Sequence, residues 1–99
     1  MKMKWNKEIP SYNMIGVGTT ITGNVQVKGD FRIDGSLIGN IECSGKLTIG
    51  ASGFIEGQIV CQNAENSGII KGNIEVSELL FLKDNSNFHG DILTVKIAV

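Results

Sequence analysis

Ile21-Thr22-Gly23-Asn24-Val25 is followed by four variations on itself: Leu37-Ile38-Gly39-Asn40-Ile41, Ile55-Glu56-Gly57-Gln58-Ile59, Ile70-Lys71-Gly72-Asn73-Ile74 and Phe88-His89-Gly90-Asp91-Ile92. Each reads apolar, any residue, glycine, amide-like, apolar. The first residues of the five phrases lie 16, 18, 15 and 18 positions apart. A phrase recurring at this period marks a repeat architecture. One unit cannot bury its own apolar face, so neighbouring units must stack and share a continuous core.

Working outward from the phrase, the pattern alternates, as in Val25-Gln26-Val27 and Ile41-Glu42-Cys43. A second alternating triplet follows in most units: Phe31-Arg32-Ile33, Leu47-Thr48-Ile49, Leu80-Phe81-Leu82. A period of two means one face buried and one wet. Each unit therefore predicts three short strands joined at glycine-rich corners. Stacked units predict a three-sided parallel solenoid of about five to six coils, with strands about 4.8 Å apart. Two columns follow from this stacking. Ile21, Leu37, Ile55, Ile70 and Phe88 point inward, and Asn24, Asn40, Gln58, Asn73 and Asp91 line a corner where amides can hydrogen-bond from coil to coil. A meander of hairpins would alternate too, but it would not demand the same residue class at the same place in each turn.

Composition agrees. The chain has fourteen Ile, seven Val and six Leu against three Ala, with thirteen Gly and nine Asn. β-Branched side chains fit a pleated surface, while Gly and Asn supply turns. The expectation is all-β, in one domain. A chain of 99 residues buries too little surface to be very stable alone, and oligomerisation is a common remedy. The net charge of −1 gives no reason to expect nucleic-acid binding. No apolar run approaches the roughly 18–20 residues needed to cross a bilayer, and no apolar stretch precedes a small-residue cleavage site. Two cysteines without CxxC spacing carry no zinc signal. A cytoplasmic protein fits these features.

The apolar-x-Gly-Asn-Ile phrase, the Arg32-Ile33-Asp34-Gly35 turn and the Leu47-Thr48-Ile49-Gly50 segment together resemble the bactofilin domain. The resemblance covers roughly residues 15 to 99. It implies a right-handed β-helix that assembles without nucleotide into bacterial cytoskeletal filaments. These often lie beside the membrane, with roles in cell shape or in positioning other proteins. On this reading residues 1–14 are a flexible tail and residues 15–99 the β-helix domain. In two places the sequence departs from a regular repeat. The third unit is one residue short, and its second strand would be Ala64-Glu65-Asn66, small and polar where its neighbours are large and apolar. The chain also stops in Ile97-Ala98-Val99, still reading as strand where the family usually continues into another turn.

Other features invite functional readings. His89 is the only histidine, and hexapeptide-repeat acyltransferases, also β-helices, use a histidine base. Their six-residue period is strict, whereas this spacing is uneven, and no second base or nucleophile accompanies His89. Ile15-Gly16-Val17-Gly18-Thr19-Thr20 is not a phosphate-cradling loop, because it has no lysine and no helix follows. Cys43 and Cys61 occupy equivalent places in adjacent units and read as reduced core residues. The acidic residues Asp30, Asp34, Glu42, Glu56 and Glu75 read as a solvated face. Val60, Leu93 and Phe81 are outward apolar positions. Met1-Lys2-Met3-Lys4-Trp5-Asn6-Lys7 alternates apolar and cationic residues, and residues 1–8 carry a net +2. Trp favours the membrane interface, and each Lys near an anionic surface adds roughly 1 kcal/mol. The tail is therefore either a membrane contact through Met1, Lys2, Met3, Lys4, Trp5 and Lys7, or a plain leader.

These readings converge on a structural subunit that polymerises end to end without nucleotide, metal or cofactor. The expected polymer interface is Ile15, Val17, Ile21, Phe88, Ile92, Ile97 and Val99. Expected partners are other copies of the chain, an anionic membrane surface and cell-envelope proteins, at the inner face of the cytoplasmic membrane. A β-helix acyltransferase-like enzyme and a monomeric binding module are the alternatives.

Overall fold

In a computed structural model of the chain, which describes residues 12–99, nine strands and no helix follow one another. They are β1 (Tyr12–Ile15), β2 (Thr20–Thr22), β3 (Val25–Val27), β4 (Asp30–Ile33), β5 (Ser36–Ile38), β6 (Ile41–Ile49), β7 (Phe54–Asn66), β8 (Ile69–Leu82) and β9 (Asn87–Ala98). Every pairing between them is parallel. The fold is a three-sided β-solenoid of about five turns. The last three strands are longer than the triplets expected from sequence. In these last three strands the corner residues pair as well, as Gly57 does with Gly72 and Gln58 with Asn73, so each strand runs on around the bend.

Register makes the three faces explicit. On the first face Ile21, Leu37, Ile55, Ile70 and Phe88 stack in one column, as the repeat predicted. On the second face Val25, Ile41, Ile59, Ile74 and Ile92 form one inward column, and Val27, Cys43, Cys61, Val76 and Thr94 another. The third face begins a layer earlier with β1, described from Tyr12 onward. Its inner columns are Phe31-Leu47-Ala64-Leu80-Ile97 and Ile15-Ile33-Ile49-Asn66-Leu82. Ile33, Leu37, Leu47, Ile49, Ile55, Ile70 and Leu80 have no exposed surface. They form one apolar spine along the axis.

The uneven spacing of the phrases has a structural cause. Between the third face and the next first face the chain spends alternately five and three residues. The wide corners are Gly16–Thr20, Gly50–Phe54 and Lys83–Asn87, and the narrow ones are Asp34–Ser36 and Ser67–Ile69. Each wide corner closes an internal turn: Thr19 N–H donates to Gly16 O at 3.2 Å, Gly53 N–H to Gly50 O at 2.9 Å and Ser86 N–H to Lys83 O at 3.0 Å. Narrow corners nest between wide ones. Ile69 N–H donates to Gly53 O at 3.1 Å, and Gly68 O accepts from Asn87 N–H at 2.9 Å. The nesting requires glycine, since a Cβ on Gly68 would run into the carbonyl oxygens of Gly50 and Gly53.

The column Gly23, Gly39, Gly57, Gly72 and Gly90 turns the first corner at φ between 133° and 146°, a region side chains rarely adopt. The amide column beside it is exposed. It forms one coil-to-coil bond, from Gln58 N–H to Asn40 Oδ1 at 3.3 Å, and no side-chain amide ladder among the described residues. Corner side chains that face water gain little by pairing with one another.

Candidate functional site

The two ends of the solenoid differ from its middle. An interior strand is paired on both sides. β9 pairs only with β8, and at the other end β1, β2 and β3 each pair only with the coil that follows. Among the described residues, each end therefore presents a row of backbone N–H and C=O groups that no further strand pairs, a template for strand addition.

Side chains show the same loss of cover. Leu80 is fully buried, while Ile97, next in its column, is 51% exposed. Ile74 is buried, and Ile92 above it is 36% exposed. Phe88 is half-buried against the core, and Val99 is almost fully exposed. Beside this bare end, Leu93 and Val95 face outward with most of their surface in water. One backbone acceptor of the edge is met locally, where Thr94 Oγ1 donates to Lys96 O at 2.9 Å.

At the opposite end the expected set splits. Val17 is 75% exposed in the first wide corner, and Ile21 is half-buried. Ile15 is buried, because it packs into the core cluster on the face that starts a layer early. It supplies backbone rather than surface: Ile15 O accepts from Asp34 N–H at 2.8 Å and from Gly35 N–H at 3.3 Å. The tail positions Met1, Lys2, Met3, Lys4, Trp5 and Lys7 lie outside the described residues.

Cys43 and Cys61 are in register, buried and free. Cys43 Sγ donates to Gly29 O at 3.2 Å. Burial pushes both thiols up, that of Cys61 to about 12 with help from the neighbouring Cys43, so neither is an activated nucleophile. His89 is exposed on the first face, above Lys71. No cluster of three metal-ligating side chains occurs among the described residues. Gly16–Thr20 is a solenoid corner with Gly18 at φ 89°.

Several features escaped the sequence reading. Asp34 does not belong to a solvated face: its side chain is 12% exposed, and Arg32 clasps it with Nε at 2.9 Å and a terminal nitrogen at 3.1 Å. A fork of this kind needs i and i+2 on the same side of a bend, which the narrow corner supplies. Glu65 is held from both neighbouring coils, by Lys46 Nζ at 3.1 Å and Lys83 Nζ at 3.0 Å. Those donors hold its carboxyl below the usual range. Lys83 Nζ also lies 5.6 Å above the Phe81 ring. These two coil-to-coil ion pairs lie 19 and 18 residues apart, across corners whose lengths the sequence pattern did not resolve.

Comparison with known proteins agrees with this architecture. The family model described as "Bactofilin: Polymer-forming cytoskeletal" matches residues 13–99. Bactofilin BacO of Myxococcus xanthus (strain DK1622) is 33% identical over 86 residues, covering 87% of this chain and 68% of the relative. Bactofilin BacP of the same organism is 26% identical over 86 residues, covering 87% of this chain and 36% of the relative. No solved structure matches. With a parallel solenoid whose repeats span the matched residues, the chain belongs to the bactofilin family of polymer-forming cytoskeletal proteins.

Proposed function

We propose that this chain is a structural subunit that joins end to end with further copies by strand addition between its terminal coils, without nucleotide, metal or catalysis. The observation that carries the reading is the contrast within single columns: Leu80 fully buried and Ile97 half exposed, on a strand whose outer edge pairs with no described residue. A copy placed on that edge would bury Phe88, Ile92, Ile97 and Val99 in the way β9 buries the coil beneath it. The first coil would receive it through β1 and β2, with Val17 and Ile21 at the joint.

A charge inside that joint loses its hydration without gaining a partner, at several kcal/mol per ion. Val99→Arg and Phe88→Arg should therefore give folded, short species in sedimentation and negative-stain microscopy, with the β-sheet circular-dichroism signal kept. Glu42→Arg, on an outward position, should polymerise normally. Yield in pelleting assays should be the same with ATP, GTP or EDTA. Filaments from both end variants would move assembly to the lateral faces, and a nucleotide requirement would overturn the nucleotide-free reading. An acyltransferase-like enzyme would instead form discrete trimers that bind an acyl carrier, and a binding module would elute as a monomer.

The tail gives the polymer its place in the same proposal. Its alternation of Lys2, Lys4 and Lys7 with Met1, Met3 and Trp5 suits an anionic bilayer surface, and a filament multiplies a weak contact by avidity. The subunit would then work in the cytoplasm, at the inner face of the membrane, scaffolding envelope proteins or cell shape. Removing residues 1–8 should leave polymerisation intact and abolish sedimentation with anionic liposomes. Unchanged liposome binding would make the segment a leader.

A further inference from the structure

One inward column of the second face differs from the rest in its chemistry. It runs Val27, Cys43, Cys61, Val76 and Thr94, so two thiols stack on neighbouring coils between valines. Both are buried and free. They are not sealed inside the apolar spine, because both line a cleft of about 340 Å³ along the corner between the second and third faces. Lys28, Glu42 and Glu75 line the same cleft. Cys43 Sγ donates to Gly29 O at 3.2 Å, which turns that sulfur toward the corner.

Spacing decides what such a pair can do. Side chains in register on neighbouring strands repeat at about 4.8 Å. A disulfide needs sulfurs about 2.05 Å apart and Cβ atoms about 3.8 Å apart, so two like-oriented thiols at strand spacing lie too far apart to bond. A linear S–metal–S bridge with bonds of about 2.2 Å spans roughly 4.4 Å, close to the strand repeat. Thiolates are soft ligands that select Cu(I), and its closed d10 shell accepts two donors in line. Zn(II) takes four ligands in a tetrahedron. No cluster of three metal-ligating side chains occurs among the described residues, so two sulfurs suit a soft monovalent ion and not a tetrahedral divalent one.

We propose that Cys43 and Cys61 form a two-coordinate site for a soft d10 cation of the Cu(I) class, which enters through the cleft and bridges β6 to β7. Each sulfur forms one bond to the metal and gives its S–H proton to water, so two protons leave for each ion bound. The bond from Cys43 to Gly29 O is lost with its proton. The metal keeps its oxidation state, and the neutral dithiol becomes a complex with one negative charge. Lys28 offsets that charge, while Asp30, Glu42 and Glu75 oppose it. Burial holds both thiols protonated, so the metal competes with protons and binds more weakly as pH falls. End-to-end assembly makes no use of this site.

The test uses the reduced full chain under argon, with Cu(I) supplied from a bicinchoninate buffer. One ion per chain should be retained, and its apparent affinity should rise about 100-fold per pH unit, as the displacement of two protons requires. X-ray absorption should show two sulfur neighbours at about 2.2 Å and no nitrogen or oxygen. Ag(I) should bind with the same stoichiometry and raise the melting temperature by several degrees. Cys43→Val and Cys61→Val copy Val27 and Val76 of the same column, and circular dichroism and pelleting check that fold and polymer survive. Each should lower the affinity by several orders of magnitude. Parental affinity in either variant overturns the proposal and assigns the metal to methionine or histidine elsewhere. A third sulfur, or a nitrogen or oxygen, in the coordination shell overturns it too, as does Zn(II) binding that the same variants abolish. An intramolecular disulfide formed with oxidised glutathione, read by mass spectrometry, would place the sulfurs closer than strand spacing and overturn the linear bridge.

Discussion

Cys61 stacks in register on Cys43 one coil below, and each residue is 3% exposed. Because burial favours the neutral thiol, Cys61 is pushed from 9.0 up to about 12. A group whose folded value is raised adds stability that is fully present below its unfolded value and is lost as pH rises through the folded one. The melting temperature should therefore fall between about pH 9 and pH 12. In Cys61→Val, which copies the Val76 of the next coil, that decline should be shallower. Native protein at neutral pH should react slowly with a thiol reagent, and both cysteines should react after denaturation. Fast native labelling would mean that the strand register is slipped by one.

Gly57 sits directly over Gly39 at the first corner, with φ 145°. A Cβ there would overlap the Gly39 carbonyl oxygen, and the backbone region is itself unfavourable for any side chain. Gly57→Ala should cost at least about 2–3 kcal/mol, since strained backbone alone costs about 1–3 kcal/mol. Gly23→Ala should be milder. That glycine has a similar φ, 133°, but open space around it, because no coil precedes it at this corner among the described residues. Chemical denaturation of the two variants measures the difference, and equal losses would remove coil-on-coil contact as the cause.

Asn66 is fully buried in a column otherwise made of Ile15, Ile33, Ile49 and Leu82. Its Oδ1 accepts from Gly68 N–H at 2.9 Å, which fastens a narrow corner, while its Nδ2 has no partner. Asn66→Asp keeps the shape and buries a carboxylate with one donor, so at neutral pH it should destabilise by several kcal/mol. Protonation removes the charge, so the loss should shrink as pH falls. A thermal melt of this variant that matches the parent at pH 7 would place Asn66 in contact with water.

Glu65 joins three coils by accepting from Lys46 and Lys83. Its folded value is lowered by those two donors. Its contribution is thus fully present above the ordinary carboxylate value and is lost as pH falls through the lower folded one. Glu65→Gln should cost no more than about 1 kcal/mol per exposed ion pair at neutral pH. Its melting temperature should fall less steeply than the parent's on acidification. An acid limb identical in both proteins would show that the clasp adds nothing.

The recurring phrase by itself determined the strand columns. Ile21, Leu37, Ile55, Ile70 and Phe88 align in the structure as their spacing in the sequence implies, because a period-two pattern leaves only one face for the apolar set. The same reading placed Cys43 against Cys61, and it marked Ala64 and Asn66 as the poor fit of the third coil. Family membership was legible for the same reason, since glycine at a stacked corner is required by the positive φ and the close approach of the neighbouring coil. What the pattern did not contain was decided by contacts between coils. Wide and narrow corners alternate because a narrow corner must nest under the carbonyls of a wide one, and the sequence shows this only as irregular spacing. Asp34 is clasped and Glu65 shared because corner lengths bring together side chains that no local pattern pairs. Ile15 is buried because the third face starts a layer before the others. Likewise the unpaired edge of β9 among the described residues exists only once the coils are stacked, since it is defined by which neighbour a strand lacks.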